Sequence, residues 1–324
     1  MKALMCREFG DLSVLKMEDV PAPNPGPGQV KLAMRACGVN FADSLLTAGK
    51  YQSQPNPPFT PGFEVAGDVI GVGDGVEGFA LGDRVMGMVG QGGYAEELVA
   101  DVAQLSLLPE TMDYVSAASF AVTYGTSYLA LAHRARLQAG EVLLVHGAAG
   151  GVGLTAVEIG KQLGATIIAT AGGPEKLKIA QAAGAKYLID YRTEDIREQV
   201  KAVTDGQGAD VIYDPIGGDV FDASLRCVNF EGRILVIGFA GGRIQQIPSN
   251  HVMVKNVDII GVNRGPYEEK RPEVTRQAYA TLMQWLAEGK IQPFVSKTYG
   301  LVDAVVAIES VTNRSSTGKV VVTN

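Results

Sequence analysis

The sequence predicts an α/β protein: a doubly wound parallel sheet beside a smaller, β-rich unit. Three observations point there. From about 122 to 262, apolar runs (VLLVH, TIIATA, YLID, VIYD, RILVIGF, VDIIGV) alternate with helical segments such as LTAVEIGKQLG, PEKLKIAQAAG and EDIREQVKAVT. That rhythm is the signature of a parallel sheet covered on both faces, and six such strands complete a doubly wound domain. Ahead of it the chain is dense in Gly and Pro, and its short runs alternate apolar with polar residues. Between the first apolar run and the first helix, Gly147, Gly150, Gly151 and Gly153 fall within seven positions.

In chain order, residues 1–121 read as a small, irregular all-β unit. In VKLAMRACGV, Val30, Leu32, Met34 and Ala36 oppose Lys31 and Arg35, as in a strand with one buried face. Turn-rich PAPNPGPG and QPNPPFTPG separate such runs. Residues 122–262 form the sheet domain. From 263 to 324, the helical VTRQAYATLMQWLAEGK and the strand-like GKVVVTN are expected to return to the first unit.

The glycine turn is where a ligand is expected. A backbone approaches a pyrophosphate closely only where side chains are absent, and the free N–H groups of a helix start turn partial positive charge toward it. Gly150, Gly151, Val152 and Gly153 are the candidate phosphate-binding residues. An NAD enzyme places an acid at the tip of its second strand for the ribose hydroxyls. Here the tip reads TAGGPEK. Gly172 and Gly173 leave space, Lys176 suits a 2′-phosphate, and Tyr191 past the third strand is placed to close over it. NADPH is the expected cofactor.

Composition excludes other classes. In 324 residues, 46% are hydrophobic and 19% charged, with a net charge of −7. This fits a compact enzyme and argues against nucleic acid or an anionic membrane surface as partner. Cys6, Cys37 and Cys227 are too few and too scattered for a disulfide framework or a metal knuckle. The amino terminus has no secretory pattern, and a cytoplasmic location is expected.

PGFEVAGDVIGVGDGV, GDRV and GAAGGVG together resemble the medium-chain dehydrogenase/reductase superfamily across essentially the whole chain. The resemblance implies a GroES-like catalytic unit around an inserted Rossmann domain. Zinc members write Gly-His-Glu where this chain has Gly62, Phe63 and Glu64, and a cysteine where it has Asn40. A catalytic zinc needs about three protein ligands, so no metal site is expected and an alcohol dehydrogenase is rejected. The branch that the chain resembles is the zinc-independent NADPH:quinone oxidoreductases, of zeta-crystallin type.

CGVNFADSLLTAGKYQ matches that branch through Asn40, Asp43, Gly49 and Tyr51. By resemblance, Asn40 and Thr126 hold the nicotinamide end, while Gly238, Phe239, Ala240 and Gly241 close over it with Asn263 and Arg264. Lys319 returns to the site, and Tyr51 is the candidate proton donor. Plainer roles also fit: Asn40 as a helix cap, Phe239 as core, Lys319 as a surface charge. Thr47 and Leu45 stand where several quinone reductases carry an arginine and an aromatic residue, which implies a less basic acceptor pocket.

The implied activity is metal-free hydride transfer from NADPH to a quinone. Reduction of α,β-unsaturated carbonyls or enoyl thioesters is the alternative, and a non-enzymatic NADPH-binding role is the third. By analogy a homodimer is expected, pairing through RILVIGF as an edge strand.

Overall fold

A computed structural model describes all residues from Met1 to Asn324. The chain divides into two units, Met1–Val122 with Pro293–Asn324, and Thr123–Gln292. The return to the first unit thus falls at Pro293 rather than 263. The reason is local packing of 263–292: Leu282 is fully buried, Lys290 O accepts from the Gln162 amide, and the Gln292 N–H donates to Glu158.

In the first unit a two-stranded ribbon pairs Lys2–Cys6 with Leu15–Asp19. A seven-stranded sheet runs Val295–Gly300, Lys319–Thr323, Gln29–Val39, Glu64–Val72, Arg84–Met88, Leu105–Leu107, with Glu97–Asp101 added on Gln29–Val39. The long strand Gln29–Val39 alternates as expected, burying Val30, Leu32, Met34 and Ala36. At a register shift between Met34 and Ala36 it bends, and from there Cys37 and Val39 are buried as well. A bulge of this kind re-aims the side chains that follow it.

The unit is not all-β. Helices Phe41–Thr47, Tyr114–Ala118 and Ala304–Thr312 belong to it. The first two are seven and five residues long and too short to show a full apolar period.

The second unit is a six-stranded, wholly parallel sheet in the order Tyr187–Asp190, Thr166–Ala171, Val142–Val145, Ala209–Asp214, Val228–Val236, Asp258–Gly261. In sequence order this is 3-2-1-4-5-6, the doubly wound arrangement that binds ligands where the order reverses, beside strand 1. Leu144, Ile168, Ile212 and Ile234 share one core cluster at the sheet. The expected edge strand is interior: Val228–Val236 is paired on both sides, and Asp258–Gly261 forms the free edge. An apolar run looks the same at an edge as in the middle, so composition alone misplaced it. No helix is long and apolar enough to cross a membrane.

Candidate functional site

Strand Val142–Val145 delivers the chain into the glycine turn. His146, fully buried, bonds Thr170 Oγ1 at 3.0 Å and Ser224 Oγ at 2.9 Å through its two ring nitrogens. Burial pushes its pKa down, so it is a neutral peg anchoring the turn. Gly147 has φ +59°, a left-handed conformation that favours glycine. A Cβ on Gly153 would lie 2.1 Å from Gly147 O, so the turn closes only without a side chain there.

Gly150 is the N-cap of helix Gly151–Gln162 and supplies no capping side chain. The first-turn N–H groups of such a helix lack intrahelical partners. Free amides at Gly151, Val152 and Gly153 above a glycine floor fit a diphosphate. Ser127 Oγ bonds Val152 O at 2.9 Å and Tyr213 Oη at 2.9 Å, tying helix Ala121–Tyr128, which carries Thr126, to the start of helix Gly151–Gln162.

At the second strand tip, Gly172 and Gly173 are buried and Gly173 has φ +95°. Lys176 is half-buried on helix Pro174–Ala183. A Cβ on Gly172 would meet Tyr191 Oη at 2.7 Å and Arg192 Nε at 2.9 Å, so both side chains lie over this floor. Arg192 was missed by the sequence reading. Its only signal there was its place immediately after Tyr191.

The loop Gly238–Gly241 is pinned to the next crossover, since the Ala240 N–H donates to Pro215 O at 3.1 Å and that of Gly241 to Ile216 O at 2.7 Å. Phe239 is half-buried rather than core. Asn263 is exposed, whereas Arg264 is buried, paired with Glu268 at 2.5 Å and set over the Tyr279 ring. Its guanidinium is therefore spent on its own unit. Tyr124 likewise donates to Glu158 at 2.5 Å, which occupies its hydroxyl.

The first unit gathers Asn40, Asp43, Glu64, Tyr94 and Lys319. Lys319 is 5% exposed, no surface charge, and its ammonium donates to Glu64 Oε1 at 2.7 Å, Val39 O at 2.7 Å and Asn40 Oδ1 at 2.9 Å. Three donors meet three acceptors. Asn40 in turn gives its amide hydrogens to Gly38 O at 3.1 Å and Glu64 Oε1 at 3.0 Å. It also stands at the N-cap of Phe41–Thr47, where Asp43 Oδ2 accepts its backbone N–H at 2.8 Å.

Asp43 accepts from Tyr94 Oη at 2.8 Å as well, and burial pushes its pKa up to about 6. Tyr51 packs edge-on against Phe63, ring centroids 5.1 Å apart, and burial together with the charge of Asp43 raises its pKa. Its hydroxyl has no partner in the protein, which leaves it a donor without an acceptor.

A doubly wound sheet with an uncapped, glycine-floored helix start, set within the sequence of a β-rich unit, defines a dinucleotide-dependent oxidoreductase of the medium-chain dehydrogenase/reductase type. Comparison with known proteins agrees. Residues 26–110 match the alcohol dehydrogenase GroES-like domain, and residues 151–288 match the zinc-binding dehydrogenase domain.

Quinone oxidoreductase-like protein 2 homolog of Nematostella vectensis is 40% identical over 323 residues, covering 99% of this chain and 88% of that one. Among solved structures, Escherichia coli quinone oxidoreductase complexed with NADPH aligns over the whole of both chains with a TM-score of 0.94 at 29% identity. CurK enoyl reductase aligns over 99% of this chain and 98% of its own, with a TM-score of 0.89 at 28% identity. The chain belongs to the quinone oxidoreductase family and is an oxidoreductase.

Proposed function

We propose that this chain is an NADPH-dependent, metal-free reductase whose acceptor is a quinone. When bound, the reduced nicotinamide supplies the hydride; the protein's work is to align it with the acceptor and exclude water. Gly150, Gly151, Val152 and Gly153 hold the diphosphate, Gly172, Gly173, Lys176 and Tyr191 the phosphorylated ribose. Asn40, Thr126, the loop Gly238–Gly241, Asn263 and Arg264 belong to the nicotinamide end, with Asn40 and Arg264 acting through the groups they position.

The observation that carries the metal-free reading is Lys319. Its ammonium is bonded to Asn40 and Glu64, at the two positions where zinc relatives carry a cysteine and the glutamate of Gly-His-Glu. A buried cation already satisfies these oxygens, and Phe63 supplies no ligand in place of histidine. Purified protein is expected to oxidise NADPH with 1,4-naphthoquinone or phenanthrenequinone, undiminished by prolonged dialysis against chelator. Activity lost on chelation and restored by zinc would end the reading.

Tyr51 favours a second reading. A half-buried phenol with an uncommitted hydroxyl suits a donor to the enolate of an activated C=C bond. Crotonyl-CoA and simple enones in the same assay discriminate, and faster turnover with these than with any quinone, lost in Tyr51→Phe, would make Tyr51 catalytic.

The proposed setting is a cytoplasmic homodimer. The free edge Asp258–Gly261 and the preceding helix Ser249–Lys255, where Met253 and Val254 are over 70% exposed, offer the surface that such a pair would cover. Light scattering at micromolar concentration is expected to give twice the 34.1 kDa chain mass; a monomer would refute the pairing.

A further inference from the structure

We infer that Arg192 is the residue that selects a 2′-phosphorylated adenosine ribose over an unphosphorylated one. The inference rests on the NADPH reading above and adds to it a residue that neither the glycine motif nor the family resemblance singled out. Three observations converge on the guanidinium. It lies against the bare floor of the second strand: an ideal Cβ on Gly172 would be 2.9 Å from Arg192 Nε, and one on Gly173 would be 3.2 Å from an Arg192 terminal nitrogen.

Arg192 has no ion pair. The two acids nearest in sequence, Asp190 and Glu194, are turned to main chain instead: Asp190 Oδ1 accepts the N–H groups of Gly173 and of Arg192 at 3.1 Å each, and Glu194 Oε2 accepts the Asp190 N–H at 2.7 Å. The guanidinium therefore sits beside its neighbour's carboxylate without spending its forked donors on it. The Tyr191 hydroxyl reaches the same floor, so a charge and a neutral donor converge over two residues that have no side chains of their own.

A guanidinium presents a planar fork that matches phosphate oxygens two at a time, whereas an ammonium acts as a point charge. A ribose carrying a free 2′-hydroxyl offers that fork no anion. Discrimination consequently falls on Arg192, and Lys176, which has partners within the protein, contributes charge to the same end. Because Arg192 is exposed, its replacement carries little cost to folding.

The experiment is calorimetric titration of wild type, Arg192→Gln and Arg192→Lys with NADPH, NADH, 2′,5′-ADP and 5′-AMP, with thermal unfolding of each variant as a folding control. Arg192→Gln is expected to weaken NADPH and 2′,5′-ADP about ten- to a hundredfold, the value of a charge-assisted hydrogen-bond pair. NADH and 5′-AMP should stay within twofold. Arg192→Lys is expected to fall between the two, since it keeps the charge and loses the fork.

Equal weakening of phosphorylated and unphosphorylated ligands, or no change in either, overturns the assignment while leaving the NADPH reading standing. A wild-type protein that binds 2′,5′-ADP no better than 5′-AMP overturns both.

Discussion

Lys319→Met is expected to lower the midpoint of thermal unfolding by on the order of 10 °C. Glu64 is fully buried, and its Oε1 bonds both Lys319 and Asn40 while Oε2 accepts the Val122 N–H at 2.8 Å. Removing the ammonium leaves a carboxylate with no cation in a place water cannot reach. Breaking a buried pair from one side costs about 3–5 kcal/mol, and each kilocalorie is worth a few degrees in a chain of this size.

The companion variant tests the cause. In Glu64→Gln/Lys319→Met neither member of the pair is charged, and most of the lost stability should return, because replacing both members of such a pair is often close to neutral. A single variant within a degree or two of wild type would show that the pair contributes nothing.

Gly153→Ala is expected to raise the dissociation constant for NADPH at least about a hundredfold, roughly 3 kcal/mol. One methyl group suffices because its position is already taken: it would stand 2.1 Å from Gly147 O and 2.7 Å from Gly147 C, and both are backbone atoms that cannot rotate away. The turn must open, which moves the amides of Gly151 and Val152 off the diphosphate. Overpacking of this kind costs about 1–3 kcal/mol of stability, so the variant should still fold. Fluorescence titration with NADPH reads the outcome, and an unchanged affinity would mean that the phosphate lies elsewhere.

Both residues were visible in the sequence, for different reasons and to different depths. Gly153 was legible outright, since strand, glycines and helix are contiguous and each signal is local. The parallel sheet was legible likewise, because its strands repeat a rhythm. Lys319 was expected near the site only through family resemblance, and nothing local marks it as buried; its partners Asn40 and Glu64 lie 279 and 255 positions away.

Arg192 stayed hidden because its role depends on what lies under it, namely Gly172 and Gly173, and a surface arginine has no pattern. The return at Pro293 was misjudged because the helix Pro272–Ala287 is amphipathic whichever unit it covers. What a residue faces is set by the tertiary fold, and an apolar stripe or a charge does not say which partner it meets.

Strand Lys319–Thr323 lies between Val295–Gly300 and Gln29–Val39, bonded to both. Its partner Gln29–Val39 is made some 280 residues earlier. During synthesis the amino-terminal segment must wait with the Ala36–Val39 edge of that strand unsatisfied while the whole nucleotide-binding unit emerges and folds. The second-made domain is thus the first that can be finished. The early segment spends that interval as a template open to foreign strands, a liability that a chaperone or a fast-folding insert would have to cover.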